Sequence, residues 1–219
     1  MTVFLFILIA AGAYFLGGLN GAIISSRLVY REDIRSHGSG NPGLTNFYRT
    51  YGGRAVFLLV LIDVLKTAVP VVVGGMLLEA YATFATVEER LIIGRLWGGF
   101  FSMLGHVYPC LYGFRGGKAV LAGGTAALFI DWRVALIVWG IFLLAVLLTR
   151  YVSLGSVLAG AAFPFAFVLL GFGVFPIVLS FLCGALIVYR HGGNLGRLFR
   201  GEERRLQFRR KKGGEGDGS

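Results

Sequence analysis

Three short polar stretches, each spaced by glycine, hold most of the groups in this chain that could do chemistry. The first runs Gly38-Ser39-Gly40-Asn41-Pro42-Gly43-Leu44-Thr45-Asn46-Phe47-Tyr48-Arg49. Its three glycines and its proline oppose a regular helix at the start. Its hydroxyls, amides and guanidinium supply many donors without a negative charge. Such a loop suits an anion, because backbone N–H groups and Arg49 can converge on phosphate oxygens. The same residues also read as an ordinary turn in which Asn41 or Thr45 caps the next helix. The second stretch is Gly113-Phe114-Arg115-Gly116-Gly117-Lys118. A Gly-Gly-Lys that opens a helix presents bare N–H groups, the positive helix end and an ammonium. It is not a nucleotide P-loop, since Tyr112 and Ala119 stand where that pattern needs Gly and Ser or Thr. The third is His191-Gly192-Gly193-Asn194-Leu195-Gly196-Arg197-Leu198. His191 and Asn194 share a face if a helix continues through them, and Gly192-Gly193 could break it. Histidine in this setting reads as a hydrogen-bonded structural residue or as a base.

Ionisable residues also occur inside apolar runs. Asp63 and Lys66 stand three apart and can pair on one helix face. Such groups are costly in a membrane and face an interior, so the pair is expected to pin helices and support the site. His106, in Gly105-His106-Val107-Tyr108-Pro109, is a similar case. There is no Gly-x-Ser-x-Gly nucleophile elbow, no His-Glu-x-x-His zinc motif and no His-x4-Asp acid/base pair. The polar loops hold almost no carboxylates, so no metal and no cofactor are expected.

What must position these stretches is a membrane bundle. Of 219 residues, 56% are hydrophobic and 15% charged, against about 25% charged in soluble domains. Mean hydropathy is +0.76. That composition excludes a soluble domain, disorder, or nucleic-acid binding as the main function. The 34 glycines point to closely packed membrane helices. Seven apolar segments are expected: Val3–Ser26, Ala55–Ala80, Leu91–Leu111, Ala119–Ile130, Val134–Thr149, Tyr151–Gly171 and Val174–Tyr189. The first lacks the basic start and cleavage site of a signal peptide. The fourth is too short to cross a core of about 30 Å upright. Cys110 and Cys183 read as buried small hydrophobes.

Seven crossings with the tail in the cytoplasm place the amino terminus outside. The cytoplasmic connections then hold 17 of the 21 Lys and Arg residues, which satisfies the positive-inside rule. Five crossings with re-entrant weak segments rank second. The chain reads as one polytopic domain over 1–212. Residues Gly213–Ser219 read as a disordered end or an expression remnant. All three polar stretches fall on the cytoplasmic side, which calls for phosphorylated substrates and an acyl chain held in the bilayer.

At this point the residues resemble the bacterial membrane glycerol-3-phosphate acyltransferases that use acyl phosphate as donor. Gly38–Arg49 is similar to that family's first signature. Gly105–Gly124, with Gly-His-x-x-Pro and then Phe-x-Gly-Gly-Lys, is similar to its second. His191–Glu202, with His-x-x-Asn-x-x-Arg-Leu-x-x-Gly-x-Glu, is similar to its third. Asp33-Ile34-Arg35 and Asp63-x-x-Lys66 also fit, so the similarity runs from about Asn20 to Glu202. The resemblance implies an all-α, seven-span fold in the bacterial inner membrane with a cytoplasm-facing site. It implies transfer of a fatty acyl group to the 1-hydroxyl of glycerol 3-phosphate, giving lysophosphatidic acid and phosphate. By the same resemblance Ser39, His191 and Asn194 are the catalytic candidates. Asn41, Thr45, Asn46, Arg49, Gly116, Gly117 and Lys118 are the substrate-binding ones. The partners implied are glycerol 3-phosphate, acyl phosphate and membrane lipids, with no nucleic acid. The chain departs from the family's usual pattern at Leu44, where Ala is usual, and at Ala119 and Ala122, where Gly and Thr are usual. The rival reading is a small transporter or channel for an anionic solute, suggested by the glycine-broken spans and the Asp63–Lys66 pair.

Overall fold

The computed structural model describes residues 1–206, which form α-helices and short 3-10 turns. The residues expected to form a loose end, Gly213–Ser219, lie outside the described residues, as do the basic residues at 209–212. Among the described residues the helices are α1 (Thr2–Gly17), α2 (Gly21–Tyr30), α3 (Leu44–Tyr51), α4 (Val56–Tyr81), α5 (Val87–Val107), α6 (Val120–Ile130), α7 (Trp132–Thr149), α8 (Val152–Leu169), α9 (Val174–Arg190) and α10 (Gly192–Phe199).

Each of the seven expected apolar segments is helical. Four stretches are long and apolar enough to cross a membrane: Thr2–Tyr30, Val56–Tyr81, Trp132–Thr149 and Val152–Leu169. The pair α9 and α10, bent by 54°, makes a fifth if taken as one span. Helix α1 continues into α2 across a short break at Gly18–Asn20, where the Asn20 side chain accepts the Ile23 N–H and restarts the helix. The third segment sits about a turn earlier than expected. Thr86 and Glu89 form a capping box that starts α5 at Val87, and the chain leaves the helix at Tyr108, just before Pro109. Helix α6 has 11 residues, about 16 Å of rise, which is shorter than a hydrocarbon core of about 30 Å. Arg95 of α5 donates to the Ile130 carbonyl at its C-terminus, 3.0 Å away, which satisfies one backbone acceptor where the short helix stops.

Small residues let these helices approach backbone to backbone. Gly94, Gly98, Ser102 and Gly105 recur at intervals of three and four along α5 and so form one ridge. A Cβ on Gly94 would overlap the Gly74 carbonyl of α4, and one on Gly98 the Pro70 carbonyl. A Cβ on Gly105 would overlap the Tyr14 carbonyl of α1, and one on Gly17 of α1 the Ser102 backbone. Around α6 the core is filled by Met103, Phe163, Phe167 and Ile187. The polar stretches all lie at one end of this bundle. At the other end, Phe6, Phe84, Glu89 and residues 173–176 line a mostly apolar cavity of about 380 Å³.

Two predictions follow from the packing. Gly98→Leu should cost about 3 kcal/mol or more, read as loss of folded, monodisperse protein, whereas Gly140→Leu, with open space around it, should be tolerated. Ala119 holds a left-handed φ of 57° at the start of α6, a conformation glycine reaches without strain. Thermal unfolding of Ala119→Gly should therefore stay close to wild type, while the β-branched Ala119→Val should unfold at a clearly lower temperature.

Candidate active site

The first turn is built by side chains folding back on their own backbone. Asn46, buried on α3, accepts the Ser39 N–H at 3.0 Å and donates to the His37 carbonyl at 3.0 Å. It thereby closes the loop around Gly38, whose φ is 59°, and holds Ser39 exposed on the outer side of the turn. Expected as a substrate ligand, Asn46 spends its amide on the loop instead. The cap of α3 is Gly43, without a side-chain bond, so neither Asn41 nor Thr45 serves as the N-cap. Phe47 packs into a buried cluster with Ile23, Ile34 and Leu59, which aims Arg49, two residues on, away from the core. Asp33 pairs with Arg35 and Arg27, both at 2.8 Å, and Arg35 also donates to the Tyr112 carbonyl at 2.9 Å. The bond from Arg35 holds the Asp33 carboxyl well below the usual range. This ion cluster ties the first turn to the second.

In the second turn the glycines act differently from the expectation of bare donors. Gly116 N–H is given to the Val107 carbonyl at 3.2 Å and Gly117 N–H to the His106 carbonyl at 3.1 Å. Their importance is space: a Cβ at Gly116 would overlap the His106 carbonyl, and one at Gly117 the His106 ring. The loop is thus pressed onto the end of α5. Arg190 clamps it from the other side, donating to the Gly117 carbonyl at 3.3 Å. The free N–H groups of this region are those of the first turn of α6, immediately after Lys118.

The third stretch begins at the bend between α9 and α10. His191 is buried, and its Nδ1 lies 2.8 Å from the Ile187 carbonyl, one turn back. A carbonyl only accepts, so this contact assigns the ring proton to Nδ1 and leaves Nε2 as the lone-pair nitrogen. Asn194 lies one turn into α10 and uses both ends of its amide. Its oxygen accepts from Lys118 Nζ, and its nitrogen donates to Glu203 Oε1 at 2.6 Å. Glu203 also receives Arg197 Nε at 2.8 Å. The third signature was bounded at Glu202, although its closing Gly-x-Glu counts to Glu203, and Glu203 was given no role in the site. The available signal was the spacing Arg-Leu-x-x-Gly-x-Glu, which counted from Arg197 puts the carboxylate at Glu203. The segment after α10 folds back over the site: Leu206 N–H bonds the Arg150 carbonyl at 2.7 Å, and Arg49 reaches the Arg204 carbonyl at 3.5 Å.

Arg49, Lys118, Asn194 and Arg197 therefore meet at one end of the bundle, with Arg190 beside them. Burial, together with the positive charges of Arg197, Arg190 and Arg49, pushes the Lys118 ammonium down to about 8, against an upward pull from Glu203. Burial also lowers Arg49, although a guanidinium stays charged throughout the working range. For Glu203, burial alone would raise the carboxyl, but the bonds from Asn194 and Arg197 outweigh it and hold it low. Such a mouth holds an excess of positive charge that an anion would relieve. Two residues after Lys118, Val120 begins the lining of a narrow apolar crevice between α6, α7, α8 and α9, with Gly124, Trp139, Phe142, Phe163 and Ile187. Asp63 and Lys66 form the expected pair, 2.7 Å apart and almost fully buried. Cys183 is buried as expected, whereas Cys110 is half-buried.

The comparisons with known proteins agree with this geometry. The family model described as glycerol-3-phosphate acyltransferase matches residues 7–201. Glycerol-3-phosphate acyltransferase 2 of Bacillus cereus is 36% identical over 203 residues, covering 91% of this chain and 94% of that protein. The glycerol-3-phosphate acyltransferase of Chlorobaculum parvum is 35% identical over 228 residues, covering 94% and 98%. The crystal structure of PlsY (YgiH), an integral membrane glycerol 3-phosphate acyltransferase, in its glycerol 3-phosphate form has a TM-score of 0.78 at 31% identity, covering 92% of this chain and 96% of that one. Its lysophosphatidic acid form has the same TM-score at 30% identity, covering 92% and 95%. With the sequence matched over nearly its whole length and the helical bundle superposed, the chain belongs to the glycerol-3-phosphate acyltransferase family.

Proposed function

We propose that this protein transfers a fatty acyl group from acyl phosphate to the 1-hydroxyl of sn-glycerol 3-phosphate, giving lysophosphatidic acid and inorganic phosphate. The observation that carries the reading is the junction at Lys118, where a cationic mouth meets the apolar crevice of Val120, Trp139 and Phe163. Phosphate charge is matched by the cations of the first, and an acyl chain by the apolar lining of the second. The chain crosses the bacterial inner membrane seven times in this reading, with α5 and α6 completing the count. The amino terminus lies outside and the mouth faces the cytoplasm.

Acyl phosphate is a mixed anhydride, so its phosphate leaves without an acyl-enzyme intermediate. The glycerol hydroxyl attacks the acyl carbon directly, forming the ester C–O bond as the C–O bond to phosphate breaks. Two phosphate dianions repel each other, and Arg49, Lys118 and the N–H groups opening α6 offset that repulsion. Orientation supplies much of the rate, up to about 7–11 kcal/mol in ideal cases. The hydroxyl proton goes to a substrate phosphate oxygen, whose second pKa of about 6 suits it. His191 and Asn194 hold the geometry: His191 spends Nδ1–H on Ile187, and Asn194 sets the direction of Lys118. In this reading Ser39 and Thr45 supply the hydroxyls of the first stretch and Asn41 its amide.

The test is purified protein in lipid, given acyl phosphate and labelled glycerol 3-phosphate with a chelator present. Labelled lysophosphatidic acid is the expected product. Uptake into sealed vesicles without product would favour the transporter, and loss of product on chelation would favour a metal-dependent lipid phosphotransferase. In the same assay Arg49→Ala and Lys118→Ala should each lose about 10²–10³-fold in turnover, as removal of a charge-stabilising donor does. His191→Ala should retain more activity than either, and a loss as deep as theirs would make His191 the base. The pH profile follows from Lys118. Its charged form binds phosphate, and with its pKa lowered to about 8 it loses that charge as pH rises through this value. The kcat/KM should fall on the alkaline side near pH 8, because this ratio reports the free enzyme. Glu203→Gln removes the charge that pulls Lys118 upward, so it should move that limb to lower pH.

A further inference from the structure

A closed circuit of contacts joins the two anion-suited turns to a buried polar cluster that the proposed chemistry does not use. Asp63 Oδ1 accepts the Gly21 N–H at 3.0 Å and pairs with Lys66 Nζ at 2.7 Å. Lys66 Nζ also lies 2.7 Å from His106 Nδ1. The three side chains come from α4 and α5 and are shielded from water and lipid. Ser102 and Thr67 close the space around them, with Ser102 Oγ donating to the Lys66 carbonyl at 3.2 Å.

The circuit continues outward at both ends. Gly21 follows Asn20, whose amide donates to the Pro42 carbonyl of the first turn at 3.2 Å. The His106 carbonyl takes the Gly117 N–H of the second turn. Gly117 and Pro42 then meet: a Cβ on Gly117 would overlap His106 Nε2 and lie 3.1 Å from the Pro42 carbonyl. Hence the Nε2 edge of His106 faces the seam between the two turns. Chemistry decides which nitrogen has the proton. An ammonium only donates, so Nδ1 beside Lys66 must accept, and Nε2 must be the N–H. A protonated imidazole would set two cations in contact in a dry interior. This is the opposite tautomer from that of His191.

We propose that His106 is a positioning residue for acyl transfer, locked by Asp63 and Lys66 with its Nε2–H edge against the Pro42–Gly117 seam, so that it fixes the spacing of the two turns that hold the phosphates. The assignment rests on the reading of those turns as phosphate-holding. Lys66 Nζ has three N–H donors; Asp63 takes one and His106 Nδ1 a second, so carboxylate, ammonium and ring are fixed as one unit. The circuit transmits the ring's placement to both loops at once, and a shift of about 1 Å in such a placement can cost about 10²-fold in rate.

The experiment uses the intact protein in lipid. Asp63→Asn combined with Lys66→Met removes both charges together, which buried pairs tolerate far better than loss of one partner. It also removes the group that orients His106. The expected result is a folded protein whose kcat falls by about 10²-fold, with a smaller change in KM for glycerol 3-phosphate. His106→Gln, which keeps an N–H donor, should recover more activity than His106→Phe. A folded double variant with kcat within a few-fold of wild type would overturn the proposal. Nitrogen-15 spectra of histidine-labelled wild-type protein give the second measurement, and they decide if the double variant does not fold. His106 should show a bare Nδ1 and a protonated Nε2 throughout the neutral range, whereas a protonated Nδ1 overturns the lock. Wild-type protein that makes no lysophosphatidic acid would refute the acyltransferase reading and leave the tautomer measurement standing.

Discussion

Like charges must be held together for this site to exist. Lys118, Arg197, Arg190 and Arg49 lie near one another with Glu203 as the carboxylate among them, and their mutual repulsion favours scattering them into solvent. What prevents it is a hydrogen bond that anchors each cation to a backbone or side-chain acceptor. Arg190 is spent on the Gly116–Gly117 carbonyls, Lys118 is tied to Asn194, and Asn194 to Glu203. The remaining excess of positive charge is what a phosphorylated substrate neutralises on binding. A strained, partly buried cationic mouth of this kind is paid for by the stability of the rest of the bundle.

That stability comes from close helix approach rather than from a greasy interior, because lipid tails are as apolar as leucine. The small-residue ridge of α5 brings α1 and α4 into backbone contact. This approach leaves room for little more than glycine, and it places the end of α5 where Gly116 and Gly117 can lie flat on it. The same geometry dictates the buried cluster. With α4 and α5 this close, Asp63, Lys66 and His106 reach one another in a dry space, and each must be satisfied there or not at all. Packing and chemistry are therefore linked through α5, whose glycines pack and whose last turn supports a loop.

The elements were largely legible as apolar runs. Their ends were less so: α5 starts earlier than its hydropathy suggests because Thr86 and Glu89 form a cap, a local bond that no apolar pattern reports. Residue types named Arg49, Lys118 and Asn194 correctly as neighbours. They did not show how Asn46, Gly116 and Gly117 are held, because a side-chain amide or a backbone N–H can be spent on the loop itself. Glu203 closes the third signature but had no role there, since spacing alone does not show that the chain turns back at Gly201, with a φ of 71°, and presents a carboxylate to Asn194.

By itself the sequence determined the membrane setting, the helical segments and the three polar stretches, because hydropathy and glycine spacing are properties of consecutive residues. It also contained the Asp63–Lys66 pair, three apart on one helix. Only the tertiary structure decided that stretches separated by about seventy residues or more share one mouth, that His106 bridges two of them, and which way each histidine ring donates. Those outcomes depend on partners from other helices, and the identity of a partner is fixed only when the backbones have packed.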